Sequence, residues 1–306
     1  MGYAIVVAGV LLVVFAPALL ERMRRVIGPR QRKGAEGGFA ELSQGVTHYR
    51  WVGPVRGPVA VLVHGLASPQ IAMQGLADGL GQMGYRVLTY DLYGRGLSDA
   101  PQGPQDRAFF LRQLAELLEN QSIQEEITFV GYSMGGQIVA AHAAENPHMV
   151  NRVIMIDSYG VENIESDFSC FCRRVPVLGD WWHGMFVRRR ILSALPVDSR
   201  SPYVESVLIA QRAELSRRGY LPSILASRRG LLHESAERDH RKLAHEDVPV
   251  VAIWAENDQV IPIAAKDVLA TWNRTAKQEV VAGADHAVPY THRDELLEAL
   301  RHAMHH

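Results

Sequence analysis

The sequence predicts an α/β protein, with a mostly parallel, doubly wound sheet, an inserted helical cap and an N-terminal transmembrane helix. Short runs of β-forming residues alternate with longer helix-like stretches, which is the pattern of βαβ units. One interval of about 90 residues lacks a convincing strand and is too long for a simple connection. The chain also begins with about 20 apolar residues, which match the thickness of a bilayer core.

Residues 1–21 are predicted to form the transmembrane anchor. The stretch MGYAIVVAGVLLVVFAPALL has no charged side chain before Glu21, and a basic run follows from Arg22 to Lys33. The positive-inside rule then keeps the following chain in the cytoplasm. A signal peptide is the main alternative, because residues 16–18 (APA) resemble a cleavage site and cleavage would leave a secreted or periplasmic protein. A packed N-terminal helix is a third possibility.

The rest of the chain is divided into a linker, a core in two parts and the cap. The linker, 22–45, is rich in glycine and charge. The core comprises 46–157 and 248–306, and the cap comprises 158–247. Core strands are predicted at 46–52, 58–65, 85–91, 127–131, 152–157, 248–255 and 277–283. Core helices are predicted at 69–82, 107–120, 135–145, 262–273 and 291–304. Ligands of such sheets bind at the carboxyl ends of the strands, so the functional residues are expected in the loops there.

The interval 158–247 is rich in aromatic residues and arginine. We expect a helical insertion that covers the functional site as a lid. A purely structural helical subdomain with solvated arginines is compatible with the same composition.

Composition excludes several classes of partner and site. A net charge of −1 gives no global reason to expect nucleic acid. Cys170 and Cys172 are separated by one residue, which disfavours a mutual disulfide. The cysteines form no zinc pattern, and we expect neither a metal nor an organic cofactor.

Ser133 is the candidate nucleophile. The stretch ITFVGYSMGGQ (127–137) runs from β-forming residues into a serine surrounded by glycines, and it contains G-x-S-x-G at 131–135. Between a strand and a helix, this motif makes a sharp turn that exposes the serine at the edge of the sheet. A tight connection without chemistry is the alternative, since glycines suit both.

A serine hydroxyl needs a base, and the base needs an orienting acid. Among thirteen histidines, His286 follows the last predicted strand and precedes the final helix, so it lies on the same edge as Ser133. Asp258 follows the strand before it and is the preferred acid. Asp157 is the main alternative and Glu256 a weaker one. The order Ser, Asp, His is that of α/β-hydrolases rather than of chymotrypsin or subtilisin.

The tetrahedral oxyanion needs two N–H donors. One is expected from the backbone of Met134, directly after the nucleophile, and the other from Leu66, with Ala67 as the alternative. His64 precedes a glycine in the same turn. We interpret His64 as a brace for this loop and not as a second base.

Together these segments resemble the α/β-hydrolase superfamily, in the branch with a helical cap after the sixth strand of the fold. The resemblance covers about residues 46–304. Its motifs are HG at 64–65, DLYGRGLSD at 91–99, GYSMGG at 131–136, WAENDQVIP at 254–262 and GADHAVP at 283–289. Within this branch the chain is similar to membrane-anchored monoacylglycerol lipases and related esterases.

The resemblance implies hydrolysis of a lipid-like carboxylic ester by Ser133, Asp258 and His286. C–C hydrolases of meta-cleavage pathways and cofactor-free haloperoxidases, or perhydrolases, share the branch and remain alternatives. Relatives that attack epoxides or alkyl halides use Asp as the nucleophile, so Ser133 argues against those activities. A non-enzymatic binding protein on this scaffold would lack part of the triad. Asp91 and Arg95 match the family pattern and are expected to be structural.

Overall fold

A single eight-stranded sheet forms the centre of the molecule in a computed structural model, which describes residues 2–195 and 201–305. The strand order is β1-β2-β4-β3-β5-β6-β7-β8. β2 pairs antiparallel with β1 and β4, and all other pairs are parallel. The strands are β1 Gly38–Leu42, β2 Gly45–Val52, β3 Val59–Val63, β4 Arg86–Tyr90, β5 Ile127–Tyr132, β6 Val150–Ile156, β7 Val250–Ala255 and β8 Lys277–Val281. The predicted α/β class and mostly parallel sheet are therefore confirmed.

Helices cover both faces of this sheet, and one long helix precedes it. They are α1 Gly2–Arg22, α2 Pro29–Arg32, α3 Gln74–Gln82, α4 Arg107–Asn120, α5 Met134–Glu145, α6 Asp167–Arg174, α7 Leu178–Ala194, α8 Pro202–Glu214, α9 Tyr220–Arg229, α10 Glu237–His245, α11 Ala265–Trp272, α12 Val288–Thr291 and α13 Arg293–His305. Three short 3₁₀ turns lie at Gln70–Met73, Pro147–Met149 and Leu231–His233.

Alternation along the strands builds two apolar layers. In β5, Phe129 faces the layer that contains α4 and α5, while its neighbour Val130 faces the layer that contains α3 and α13. Successive strand residues point to opposite faces, so strands buried on both sides read as continuous apolar runs. This explains why every predicted strand appears in the structure with ends within two residues of the prediction.

Two boundaries differ from the prediction. Residues 38–42, assigned to the linker, form the edge strand β1, which pairs with β2. Helix α10, assigned to the cap, packs with α5 and α11, and its Leu243 is fully buried in the core. The strand was not predicted because its surrounding sequence is rich in glycine. The core contact of α10 was not predicted because most of its residues are charged. We therefore use "helical insertion" for α6–α9 only.

Helix α1 packs along α7 of the helical insertion. By length and composition it is the one helix among the described residues that meets the criteria for crossing a membrane, and none of its residues is buried in protein. A signal sequence near an N-terminus meets the same criteria. The finding therefore supports an apolar N-terminal helix and says nothing about which side of a membrane the rest of the chain would occupy.

Candidate active site

Ser133 occupies the turn between β5 and α5 with φ 52° and ψ −118°. A positive φ is uncommon for a residue other than glycine, and such strain persists only where the surroundings enforce it. The Ser133 N–H donates to the Ile156 carbonyl of the next strand at 2.9 Å. Gly135 permits close contact between helix and sheet, because a Cβ there would overlap the Val63 carbonyl. The hydroxyl is thereby presented at the carboxyl edge of the sheet.

A hydrogen-bonded chain joins the three predicted residues. His286 Nε2 lies 3.1 Å from Ser133 Oγ, and His286 Nδ1 lies 2.6 Å from Asp258 Oδ2. The Asp258 side chain is fully buried, whereas that of His286 is 25% exposed. Three loops that follow β5, β7 and β8 supply these side chains, so the parallel sheet brings together residues that are distant in the chain.

The hydrogen bonds define the tautomer of His286. The second carboxylate oxygen of Asp258, Oδ1, accepts the backbone N–H groups of Val260 at 2.6 Å and Ile261 at 2.9 Å. An ionised carboxylate only accepts, so Nδ1 of His286 carries a hydrogen and Nε2 is free to accept the Ser133 proton. The Tyr132 hydroxyl also donates to the His286 carbonyl, which fixes the loop that carries the ring.

The two alternative acids are placed differently. Asp157 lies beside the site, but its Oδ1 accepts from the Ala255 N–H at 2.7 Å and its Oδ2 has no partner among the described residues. Burial, and then the charge of Asp258, raise the pKa of Asp157 well above its usual range. Glu256 instead accepts from the Gly283 N–H at 2.8 Å at an exposed position. Of the three carboxylates, Asp258 is the one that hydrogen-bonds to His286.

The loop after β3 lies against the nucleophile. A Cβ added to Gly65 would come within 3.2 Å of Ser133 Cβ, so glycine permits this approach. The buried His64 accepts the Leu92 N–H at 2.9 Å and lies 2.8 Å from the Gly65 carbonyl through its other nitrogen. Burial lowers the pKa of His64 to about 4, so it is neutral at neutral pH and braces the loop. Met134 opens α5, where first-turn N–H groups have no helical acceptor.

The helical insertion covers this loop with an apolar surface. Leu66 packs against a buried cluster that includes Leu221 and Ile224 of α9. The Tyr220 hydroxyl donates to the Ala67 carbonyl at 3.0 Å. The surface that the insertion presents to Leu66 is therefore hydrocarbon.

Asp157, Asp258 and His286 also satisfy a distance criterion for a metal site, with one ligand atom each within 4.8 Å of the others. The ring nitrogens of His286 are already engaged, however. His286 Nδ1 is bonded to Asp258, and its Nε2 faces Ser133. Both ring nitrogens of His286 are therefore occupied by side-chain hydrogen bonds.

A match to a known protein family covers most of the chain. A model of the Hydrolase_4 family, described as serine aminopeptidase, S33, matches residues 54–301. The chain belongs to the Hydrolase_4 family. It is accordingly an α/β-hydrolase, as its motifs predict, and the match runs across both halves of the sheet and the helical insertion.

Individual relatives of this Hydrolase_4 protein are diverse. It is 29% identical over 238 residues to the putative carbamate hydrolase RutD of Yersinia enterocolitica, which covers 77% of this chain and 83% of the relative. The enol-lactonase of Burkholderia xenovorans LB400 superposes with a TM-score of 0.72 at 20% identity, covering 88% of this chain and all of that one. A bacterial membrane phospholipase A superposes with a TM-score of 0.67 at 18% identity, covering 99% and 96%. The two structural likenesses establish the fold alone.

Arg95, which we expected to be structural, contacts the loop beside Ser133. Arg95 is fully buried; its Nε donates to the Leu66 carbonyl at 3.0 Å, and a terminal nitrogen donates to Ser227 Oγ of α9 at 2.9 Å. Burial lowers the pKa of Arg95 to about 10, which leaves it charged at neutral pH. It thus ties the loop beside Ser133 to the helical insertion. Its place in the DLYGRG motif was the available signal, but its partner lies 132 residues away.

Proposed function

We propose that the protein is a serine hydrolase that cleaves carboxylic esters through an acyl-enzyme on Ser133. The observation that carries the proposal is the hydrogen-bonded chain from Ser133 Oγ through His286 to Asp258, at 3.1 and 2.6 Å. A serine in this arrangement is activated by the imidazole, and the carboxylate stabilises the imidazolium that forms. Membership of a hydrolase family supports the same chemistry.

In the first half-reaction, His286 Nε2 removes the Ser133 proton while Oγ attacks the ester carbonyl. The resulting oxyanion is stabilised by the backbone N–H groups of Met134 and Leu66. The protonated His286, held by Asp258, then gives its proton to the leaving alcohol. Water enters in place of the alcohol, and the same groups transfer its proton as the acyl-enzyme is hydrolysed. No cofactor takes part in these steps.

The surroundings of the site favour an apolar acyl group, such as that of a monoacylglycerol. The insertion presents hydrocarbon to Leu66. A C–C hydrolase acting on a carboxylate-bearing substrate would instead need arginines of the insertion that are not already paired with carboxylates. Arg173 is paired with Glu165 at 2.7 Å, and Arg229 is paired with Asp180 at 2.6 Å. A lipid substrate also accords with the name of the structurally similar membrane phospholipase A.

We further propose that α1 is retained as a membrane anchor and that α6–α9 act as the lid. An ester with a long acyl chain partitions into the bilayer, so an anchored enzyme meets its substrate at a high local concentration. The apolar length of α1 and its packing along α7 support this arrangement.

Fluorophosphonate labelling of the full-length protein tests the nucleophile. Ser133→Ala is expected to abolish labelling, whereas Ser158→Ala is the matched control, because Ser158 is a buried serine after β6 whose hydroxyl donates to the Tyr159 carbonyl. Undiminished labelling of Ser133→Ala would refute the assignment.

Turnover then tests the bond that is cleaved. Monoacylglycerols and p-nitrophenyl esters of graded chain length are compared with aminoacyl p-nitroanilides and a vinylogous 1,5-diketone. Ester cleavage that increases with chain length supports the proposal. Selective cleavage of the anilide or of the diketone C–C bond contradicts it, even when Ser133 is labelled.

A further inference from the structure

Helix α1 is fitted to α7 at particular atoms. Pro17 lies inside α1 and has no N–H, so the carbonyl of Val13, four residues earlier, loses its helical donor. The indole N–H of Trp181 in α7 donates to that carbonyl at 2.9 Å. Gly184 lies so close to Pro17 that an added Cβ would come within 2.7 Å of the proline Cβ. An unpaired carbonyl in lipid costs several kcal/mol, so this contact stabilises α1 beside α7.

The carboxyl end of α1 is also tied to the helical insertion. The Glu21 carboxylate accepts the Gly219 N–H at 2.5 Å. Beyond the helix, the Arg25 N–H donates to the Ser216 carbonyl at 3.0 Å, and the Arg218 N–H donates to the Arg25 carbonyl at 2.9 Å. With contacts at its middle and its end, α1 has a defined direction relative to α7.

The two helices run parallel, because Trp181 lies at Val13 and Gly184 lies at Pro17. At 1.5 Å per residue, residues 2–12 of α1 extend only about 16 Å beyond this contact, roughly half of a bilayer core. If the full apolar length of α1 enters a membrane, the first half of α7 must enter the same leaflet.

The exposed surface of α7 suits that depth. Leu178, Trp182 and Phe186 follow one another at intervals of four residues, so they form a stripe on one face. They are 55%, 42% and 40% exposed. The preceding Val177 is 80% exposed. Such a stripe is unfavourable in water, whereas Trp is typical of the membrane interface. The charge of Asp180 in the same turn is paired with Arg229.

Basic residues follow the apolar stretch at corresponding positions of α1 and α7. The parallel register continues from the contacts between the two helices to Arg188 of α7 and Arg22 of α1, which are exposed along with Arg189. Each helix therefore passes from apolar to basic in the same direction. A membrane surface with anionic lipids has the matching order, hydrocarbon followed by negatively charged headgroups.

We propose that the outer face of α7, from Val177 to Phe186, is a second membrane-contact surface that enters the leaflet occupied by α1. The proposal rests on the retention of α1 proposed above. The opposite face of α7 carries Val187 into the apolar cluster that also contacts Leu66. Helix α7 therefore lies between the bilayer and the loop that carries Leu66, and it places lipid esters next to the lid.

A second copy of the chain is the competing occupant of this face. If the two α7 helices pair in parallel about a two-fold axis, the exposed arginines at 188–190 of both copies come together, where like charges repel. Anionic headgroups neutralise the same charges. The apolar face of α7 also adjoins the exposed apolar surface of α1, so the two form one continuous surface. A bilayer is therefore the occupant that the charge pattern fits.

Quenching of tryptophan fluorescence by brominated lipid tests the contact directly. The full-length Ser133→Ala protein is reconstituted in vesicles of phosphatidylcholine and phosphatidylglycerol, with or without brominated acyl chains. The quenched fraction is expected to fall in Trp182→Phe. It is expected not to fall in Trp51→Phe, because Trp51 lies on β2, hydrogen-bonds to Gln121 after α4 and contributes only unquenched emission. The assay requires no turnover, so it is independent of the proposed esterase activity.

Two results overturn the proposal. One is bromolipid quenching that is the same in Trp182→Phe as in the parent protein. The other is a dimer in the vesicles that Trp182→Ser dissociates, which assigns the face to a second copy. Intact-mass analysis of the purified chain separately reports whether α1 is retained, and its removal overturns the premise.

Discussion

Two buried carboxyl groups, Asp157 and Asp258, end neighbouring strands beside His286. Asp258 accepts two backbone N–H groups and the imidazole, so its negative charge is well stabilised. Asp157 accepts one backbone N–H, and burial together with the charge of Asp258 raises its pKa well above the usual range. Burial therefore favours the protonated form of Asp157, whereas three hydrogen-bond donors surround the carboxylate of Asp258.

Replacing each carboxyl by its amide separates their roles. Asp258→Asn removes the acceptor that fixes the tautomer of His286, and kcat for a p-nitrophenyl ester is expected to fall about 10³–10⁴-fold. Asp157→Asn keeps an acceptor for the Ala255 N–H and removes no bond to His286, so a change of roughly tenfold or less is expected. Steady-state kinetics on both variants are compared at one pH. A larger loss in Asp157→Asn identifies Asp157 as the orienting acid instead.

At the scale of elements, the connection from β5 to α5 was predictable because its requirements are local. An apolar run, a serine and Gly135 are adjacent in the chain, and the positive φ of Ser133 follows from that turn. Strand β1 was not predictable in the same way, since its five residues are stabilised by pairing with β2. The membership of α10 in the core likewise depends on Leu243 meeting residues far away in sequence.

Helices α8 and α9 each attach the insertion to the core through a tyrosine hydroxyl. Tyr220 of α9 donates to the Ala67 carbonyl at 3.0 Å. Tyr203 of α8 instead accepts the Gly75 N–H at 2.9 Å and lies 3.1 Å from the Ala72 carbonyl. The two attachments are similar in kind, but only the first touches the loop that contains Leu66. Comparing the two tyrosines therefore tests whether the position of the Leu66 loop depends on its hydrogen bond to α9.

Removal of each hydroxyl should lower stability but affect catalysis differently. Tyr220→Phe is expected to lower the free energy of unfolding by about 1 kcal/mol, the usual contribution of one hydrogen bond, and Tyr203→Phe by about 1–2 kcal/mol, because its hydroxyl both accepts and donates. Tyr220→Phe should also lower kcat by about tenfold, because a loosened loop misplaces the Leu66 N–H. Denaturation and kinetics on a short-chain ester measure both effects. Equal kcat values in the two variants would show that α9 does not position the loop.

For the whole molecule, the interior contains ionisable groups with opposite effects on acid stability. Four histidines have their pKa lowered to about 4 by burial, namely His64, His142, His183 and His240. Their unfolded forms bind protons more readily, so their contribution to stability decreases as the pH falls from 6.5 towards 4. Burial also raises the pKa of Glu214 to about 7, despite the nearby charge of Arg217. Protonation of Glu214 therefore adds stability as the pH falls. The pH dependence of the total stability is the sum of this gain and the loss from the histidines.

His240 offers the cleanest way to isolate the histidine contribution. It is fully buried, stacks on Trp272, and neither ring nitrogen has a partner among the described residues; the charge of Asp239 only partly offsets its burial. Between pH 7 and pH 5, its protonation in the unfolded chain should cost roughly 2 kcal/mol of stability. His240→Leu removes that cost, so the variant should gain about this amount relative to wild type over the same interval.

Urea denaturation in detergent at several pH values measures the gain, with His148→Leu as the exposed control. The wild-type and His148→Leu curves of unfolding free energy against pH should run parallel, and the His240→Leu curve should diverge upward as the pH falls. Parallel curves for all three proteins would mean that His240 binds protons equally in the folded and unfolded chains. Its burial would then be relieved by local opening before the fold as a whole is lost, since a sealed, unpaired imidazole cannot accept a proton at its ordinary pKa.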